Sequence, residues 1–294
     1  MGGITPRSVT AGTVTVDGAR LEIDWHTPGG TSIGERSPTL VFLHEGLGCV
    51  AMWRDFPRLV ADDTGARVLV YSRRGHGRSD AISLPRPLTY MHDEARTVVP
   101  ELLEALDIDD AVLVGHSDGA SIALIYAGLE GADARPSSRA AARVRGLVLL
   151  APHVFCEDIS VESIREARRA FDVTDLRAKL ARYHGTNTDC AFRGWNDAWL
   201  DPGFRAWNIE ESLPDIRVPI LAIQGEDDRY GTLAQIDAIE RGSGAPVTRL
   251  ILHACGHDPS RDAALATRSA ITAFVATLAP PPPSKPPRPE PSAQ

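Results

Sequence analysis

Apolar residues along the chain fall into two kinds of pattern. Short continuous apolar runs occupy Leu40 to His44, Arg67 to Tyr71, Ala111 to Gly115, Val144 to Leu150, Pro219 to Gln224 and Thr248 to Leu252. Runs of this length, without polar alternation, read as strands buried on both faces. Between them, Met52 to Asp62, Asp93 to Leu106, Ser117 to about Leu129 and Ala263 to Leu278 read as helices. Strands alternating with helices predict an α/β fold, with a mostly parallel central sheet flanked by helices. Ahead of this alternation, Thr13 to Val16 and Arg20 to Asp24 alternate in polarity around Asp17-Gly18, which predicts a hairpin.

Two segments depart from the alternation. From His153 to Pro214 there is no strand signal; the pattern is helical and carries Trp195, Trp199 and Trp207. It reads as a helical insertion at the carboxyl edge of the sheet, where open α/β sheets bind ligands. That divides the chain into a core of residues 1–152 and 215–279 and an insertion of residues 153–214. Aromatic residues on such an insertion suggest contact with a partly apolar substrate, and Trp195 and Trp199 are the candidates. From Pro280 to Gln294 proline dominates, which fixes φ and removes amide donors, so an extended, disordered tail is expected.

Composition narrows the function. A chain of 294 residues with 43% hydrophobic residues can bury one sizeable core. Its net charge of -8 disfavours nucleic acid and anionic membranes as partners. The expected partner is a small-molecule substrate, with monomer and homodimer both open. Cys49, Cys156, Cys190 and Cys255 form no C-x-x-C pair and fit no zinc spacing, so neither a metal nor another cofactor is expected. They read as reduced thiols of a cytoplasmic protein. Met1 to Ala11 has no leader-like apolar run, and no stretch approaches the ~20 apolar residues that span a bilayer.

The strongest chemical signal is Gly115-His116-Ser117-Asp118-Gly119. It follows a predicted strand and opens a predicted helix, the context in which G-x-S-x-G projects a serine hydroxyl above a sheet. A hydroxyl is a weak nucleophile and needs a base, which in turn needs an orienting acid. His257 lies on a loop just after the last predicted strand and can swing towards the serine; His253 sits at the strand's end. The acid candidates, Glu226, Asp227 and Asp228, follow the strand ending at Gln224, and their spacing does not choose among them. Two oxyanion donors are expected: the amide of Asp118, and an amide of the loop His44-Glu45-Gly46-Leu47-Gly48, with Gly46 favoured. Glu45 is placed to line the site.

Together V-F-L-H-E-G-L-G, Y-S-R-R-G-H-G-R-S-D, V-G-H-S-D-G-A, I-Q-G-E-D-D and C-G-H-D-P resemble the α/β-hydrolase superfamily, in its order and across most of Leu40 to Leu278. The resemblance implies Asp228 as the acid of a Ser117–His257–Asp228 triad. It also implies that residues 153–214 form a helical cap after the sixth strand. Two positions depart from the family pattern. Its usual His-Gly reads His44-Glu45, and the residue after the nucleophile is Asp118, which can cap the helix or bind Arg73 or Arg74. The implied activity is hydrolysis of a carboxylic ester or lactone through an acyl-enzyme. Carbon–carbon bond hydrolysis of aromatic ring-cleavage products is the nearest rival, and a ligand-binding protein of low turnover is the rival outside catalysis.

Overall fold

A computed structural model describes residues 11–29, 37–132 and 143–278; the proline-rich tail lies outside the described residues. Eight strands form one sheet in the order β1-β2-β4-β3-β5-β6-β7-β8. They are β1 (Ala11–Val16), β2 (Ala19–His26), β3 (Thr39–Leu43), β4 (Val68–Tyr71), β5 (Asp110–His116), β6 (Arg143–Leu150), β7 (Ile220–Gly225) and β8 (Val247–Leu252). β1 and β2 form the expected hairpin, with Asp17 and Gly18 both at positive φ, and β2 joins β4 antiparallel. All pairings from β4 to β8 are parallel.

Strand residues alternate between the two faces and bury both. Phe42, Val70, Val112, Val114, Val148 and Ile223 pack with Trp53, Phe56, Ile271 and Phe274 on one side. That side is covered by α1 (Phe56–Thr64) and α10 (Ala264–Thr277), which also pack on each other. Leu43, Leu69, Leu113, Leu147 and Leu149 belong to the opposite core. There lie α2 (Tyr90–Asp93), a π-helical turn (Glu94–Val98), α3 (Val99–Ala105) and α4 (Asp118–Ala132). α4 is buried from Asp118 to Gly128, wedged between the sheet and the short 3₁₀ helix Glu210–Asp215.

Between β6 and β7 the chain is helical: α5 (Asp158–Val173), α6 (Leu176–His184) and α7 (Thr188–Leu200), followed by short 3₁₀ turns. α5 packs on α7 and α6 on α7, so the insertion has its own aromatic contacts, with Phe171 and Phe192 stacked at 3.7 Å. Several boundaries differ from the pattern reading. The segment predicted as one helix from Met52 splits into a 3₁₀ turn (Val50–Trp53) and α1, because Arg54 takes positive φ. The last helix is preceded by a short α9 (Pro259–Asp262). A helix the pattern did not mark, α8 (Ala234–Gly242), joins β7 to β8. Among the described residues, no helix is long and apolar enough to cross a membrane.

Candidate active site

Ser117 occupies the one-residue corner between β5 and α4, at φ 52°. L residues rarely adopt this left-handed conformation, and here the surrounding bonds impose it. The Ser117 amide donates to Leu150 O (2.9 Å), while its carbonyl accepts from the Ala120 (2.9 Å) and Ser121 (3.1 Å) amides. The flanking glycines are required by space. A Cβ at Gly115 would stand 2.4 Å from Gly119 O, and one at Gly119 would stand 2.1 Å from Leu43 O. The corner therefore presses strand, helix and the end of β3 together beneath the hydroxyl.

His257 meets this hydroxyl. Its Nε2 lies 3.0 Å from Ser117 Oγ, and its Nδ1 lies 2.9 Å from both carboxylate oxygens of Asp228. The network assigns the proton to Nδ1, leaving Nε2 to accept from the serine. Asp228 also accepts from the Tyr230 amide (2.8 Å) and from Gln224 Nε2 (3.2 Å). Burial pushes the Asp228 carboxyl up, but the bond to His257 and the amide of Tyr230 bring it below its ordinary range. The other acids and the other histidine lie elsewhere. Glu226 and Asp227 are exposed, and Glu226 pairs with His253, itself 91% exposed (2.7 Å).

The loop after β3 is held from below by Arg73, which is fully buried. Its guanidinium donates to His44 O and, at 2.9 Å, to Glu45 O. The Arg73 amide donates to His44 Nε2 (3.0 Å), so His44 carries its proton on Nδ1 and donates to Glu45 O (2.7 Å). His76 Nε2 reaches Gly46 O (3.0 Å), and His184 of α6 donates from Nε2 to Leu47 O (2.9 Å). Burial lowers the affinity of all three rings for a second proton. Three neutral histidines and an arginine thus fix the loop's carbonyls. Among the described residues, the amides of Gly46 and Asp118 donate to no protein group.

The two departures from the family pattern have specific partners. The Glu45 carboxylate folds back over Gly48, where a Cβ would stand 2.3 Å from Oε2. From there it faces His116 Nδ1 at 3.7 Å. His116 donates its other ring proton, on Nε2, to the backbone oxygen of His257 (2.7 Å). Burial opposes protonation of His116, but the Glu45 carboxylate outweighs it and raises the ring to about 9. Glu45 in turn is held below its ordinary range, against its own desolvation, by His116.

Asp118 is buried beside Ser117 and accepts from Tyr90 Oη (2.6 Å) and Trp199 Nε1 (3.3 Å), with Arg73 at 3.8 Å. It pairs with Arg73 rather than Arg74, which turns to Asp17. Both candidate tryptophans are buried. Trp195 lies against Gly46, where a Cβ would stand 2.2 Å from its ring, and Trp199 bonds Asp118. Pattern reading did not single out His116, His153, Tyr90 or the His44, His76 and His184 group. His153 is buried next to His257 (ring centroids 5.6 Å apart) and Trp199, with no partner for Nδ1 among the described residues. Burial, then the neighbouring His257, push it down to about 3. Among the described residues no three His, Cys, Asp or Glu side chains are grouped to hold a metal ion.

Comparison with known proteins follows the same outline. Residues 40–270 match the Alpha/beta hydrolase family along their length. The chain belongs to that family. A non-heme chloroperoxidase of Streptomyces lividans is 30% identical over 252 residues, covering 74% of this α/β hydrolase and 82% of the relative. A bifunctional esterase/perhydrolase of Acinetobacter calcoaceticus is 26% identical over 226 residues, covering 67% and 76%. Among solved structures, the enol-lactonase of Burkholderia xenovorans LB400 shares the fold, with a TM-score of 0.64 and 20% identity over 90% of this chain and 100% of its own. As an α/β hydrolase of this outline, the chain shares its fold with enzymes of several chemistries, so its reaction has to be argued from the site.

Proposed function

We propose that this α/β hydrolase cleaves a carboxylic ester or lactone of a small, partly apolar substrate through an acyl-enzyme on Ser117. The observation that carries the reading is the pair of contacts at His257: 3.0 Å to Ser117 Oγ on one side and 2.9 Å to Asp228 on the other. In this mechanism His257 takes the hydroxyl proton as Ser117 attacks the carbonyl carbon. Asp228 holds the ring orientation and stabilises the imidazolium. The free amides of Gly46 and Asp118 receive the oxyanion, each donor being worth roughly 10²–10³ in rate. The imidazolium then protonates the leaving alkoxide, and the same ring activates water to release the acid. Glu45, Trp195 and Trp199 shape the walls around that carbonyl. The Acinetobacter relative, named as an esterase and perhydrolase, supports serine acyl transfer.

The test is fluorophosphonate labelling together with turnover of short p-nitrophenyl esters and of a ring-cleavage dienoate. The native protein should label and turn over esters, and Ser117→Ala should do neither. Absence of labelling in the native protein, or cleavage of the dienoate alone, would overturn the proposal.

A further inference from the structure

A cleft of about 560 Å³ opens between α6 of the insertion and the core. Glu45, His116 and Asp258 line it beside the site, since His116 precedes Ser117 and Asp258 follows His257. Its other walls bring together three arginines from distant parts of the chain: Arg54 before α1, Arg182 on α6 and Arg261 on α9.

The charges around this cleft do not cancel. Glu45 is matched by His116 at 3.7 Å, and Lys179 by Asp175 at 2.9 Å. Asp55 turns outward, 81% exposed, and has Arg58 at 3.9 Å. Asp258 accepts from Ser260 Oγ (2.5 Å), a neutral partner, so this one carboxylate stands against the three arginines. Arg54, Arg182 and Arg261 are exposed and make no ion pair among the described residues. Elsewhere on the surface many arginines, among them Arg58, Arg169 and Arg193, have a carboxylate within 4 Å. A local excess of positive charge therefore sits in this cleft, beside the site, on a chain whose net charge is -8. Guanidinium groups bind carboxylates through paired N–H donors, and a wall of one sign raises the local concentration of the opposite one.

We propose that the substrate carries a carboxylate on the part of the molecule that occupies this cleft, and that Arg54, Arg182 and Arg261 capture it. This inference rests on the ester reading for the reaction but names the substrate class: the half-ester of a short dicarboxylic acid, or a lactone bearing a free carboxylate. Trp53 and Leu180 on the cleft wall accommodate the short apolar spacer.

The experiment has two arms. In the first, native protein hydrolyses p-nitrophenyl hemiglutarate and its neutral methyl ester. The half-ester should show roughly tenfold higher kcat/KM at low ionic strength, and salt should shrink the ratio. In the Arg182→Glu/Arg261→Glu double variant the ratio should fall to about one or below. In the second arm, Ser117→Ala is titrated calorimetrically with monomethyl glutarate and with dimethyl glutarate. Only the anion should bind, and the double variant on this background should lose the binding. Ester turnover with no preference for the half-ester, and no binding of monomethyl glutarate, would overturn the inference while leaving the ester reading intact. Salt-sensitive binding without turnover of either ester would overturn the ester reading and leave the carboxylate cleft standing.

Discussion

His116 donates a hydrogen bond from Nε2 to the backbone oxygen of His257 at 2.7 Å. Because Glu45 faces the other nitrogen of the same ring, one buried imidazolium ties together the loop after β3, the corner at Ser117 and the loop that carries His257. These three segments come from distant parts of the chain, and the proposed acyl transfer needs them in register.

This tie makes alkaline stability depend on Glu45. His116 titrates near 9 in the folded protein, against 6.5 when free. Its folded value is raised, so its stabilisation is complete below pH 6.5 and is lost as pH rises through 9. The shift corresponds to roughly 3 kcal/mol. Urea unfolding should show stability falling between pH 6.5 and 9.5 in the native protein, with the fall much smaller in Glu45→Gln. An identical pH dependence in the two proteins would remove the ion pair from the account.

The strained corner predicts a trade between stability and activity. Ser117 is held at φ 52°, which glycine adopts at little cost. Ser117→Gly should raise the unfolding free energy by about 1 kcal/mol while abolishing ester turnover. Ser117→Ala should abolish turnover with no such gain, since its Cβ keeps the strain. Equal melting temperatures for the two variants would argue against stored strain.

Asp118 supports the corner through buried charge. Arg73 lies 3.8 Å away and is itself fully buried, so Asp118→Ala removes the one carboxylate within 4 Å of that guanidinium among the described residues. The expected loss is about 3–5 kcal/mol in denaturant unfolding. Trp199→Phe removes only one donor to Asp118 and should cost about 1 kcal/mol through that bond. A larger loss for Trp199→Phe than for Asp118→Ala would place the support in the aromatic packing instead.

Gly46 is predicted to be needed for room. A Cβ there would meet the Trp195 ring at 2.2 Å, so Gly46→Ala must displace either the loop or the indole. Ester turnover should drop about 10²-fold if the Gly46 amide leaves the oxyanion. Adding Trp195→Ala should restore at least part of it. Failure of the second substitution to help would mean that the loop shift has another cause.

Much of this arrangement is written locally. The apolar runs define the strands because each strand is buried on both faces, so its own residues carry the signal, as in Val112 to Val114 of β5. The corner at Ser117 is legible because Gly115 and Gly119 sit at fixed short offsets from it. The pattern does not mark α8 because one i, i+3 apolar pair, Ile236 and Ile239, is a weak periodic signal.

What the tertiary structure alone decided is which distant residues meet. Three acids stand in a row at Glu226, Asp227 and Asp228, and their spacing treats them alike, the family resemblance alone implying Asp228; the chain's path after β7 buries Asp228 against His257 and leaves the other two in water. Glu45 and His116 each read as an isolated departure or filler within its own motif, 71 residues apart by their numbers. Only the parallel pairing of β3 with β5 brings their loops to the same edge, where burial makes each charge depend on the other. Residue type and spacing thus determined the elements and the glycine-flanked corner at Ser117, while partner choice and local charge were set by burial and contact across the sheet, which no short window of sequence encodes.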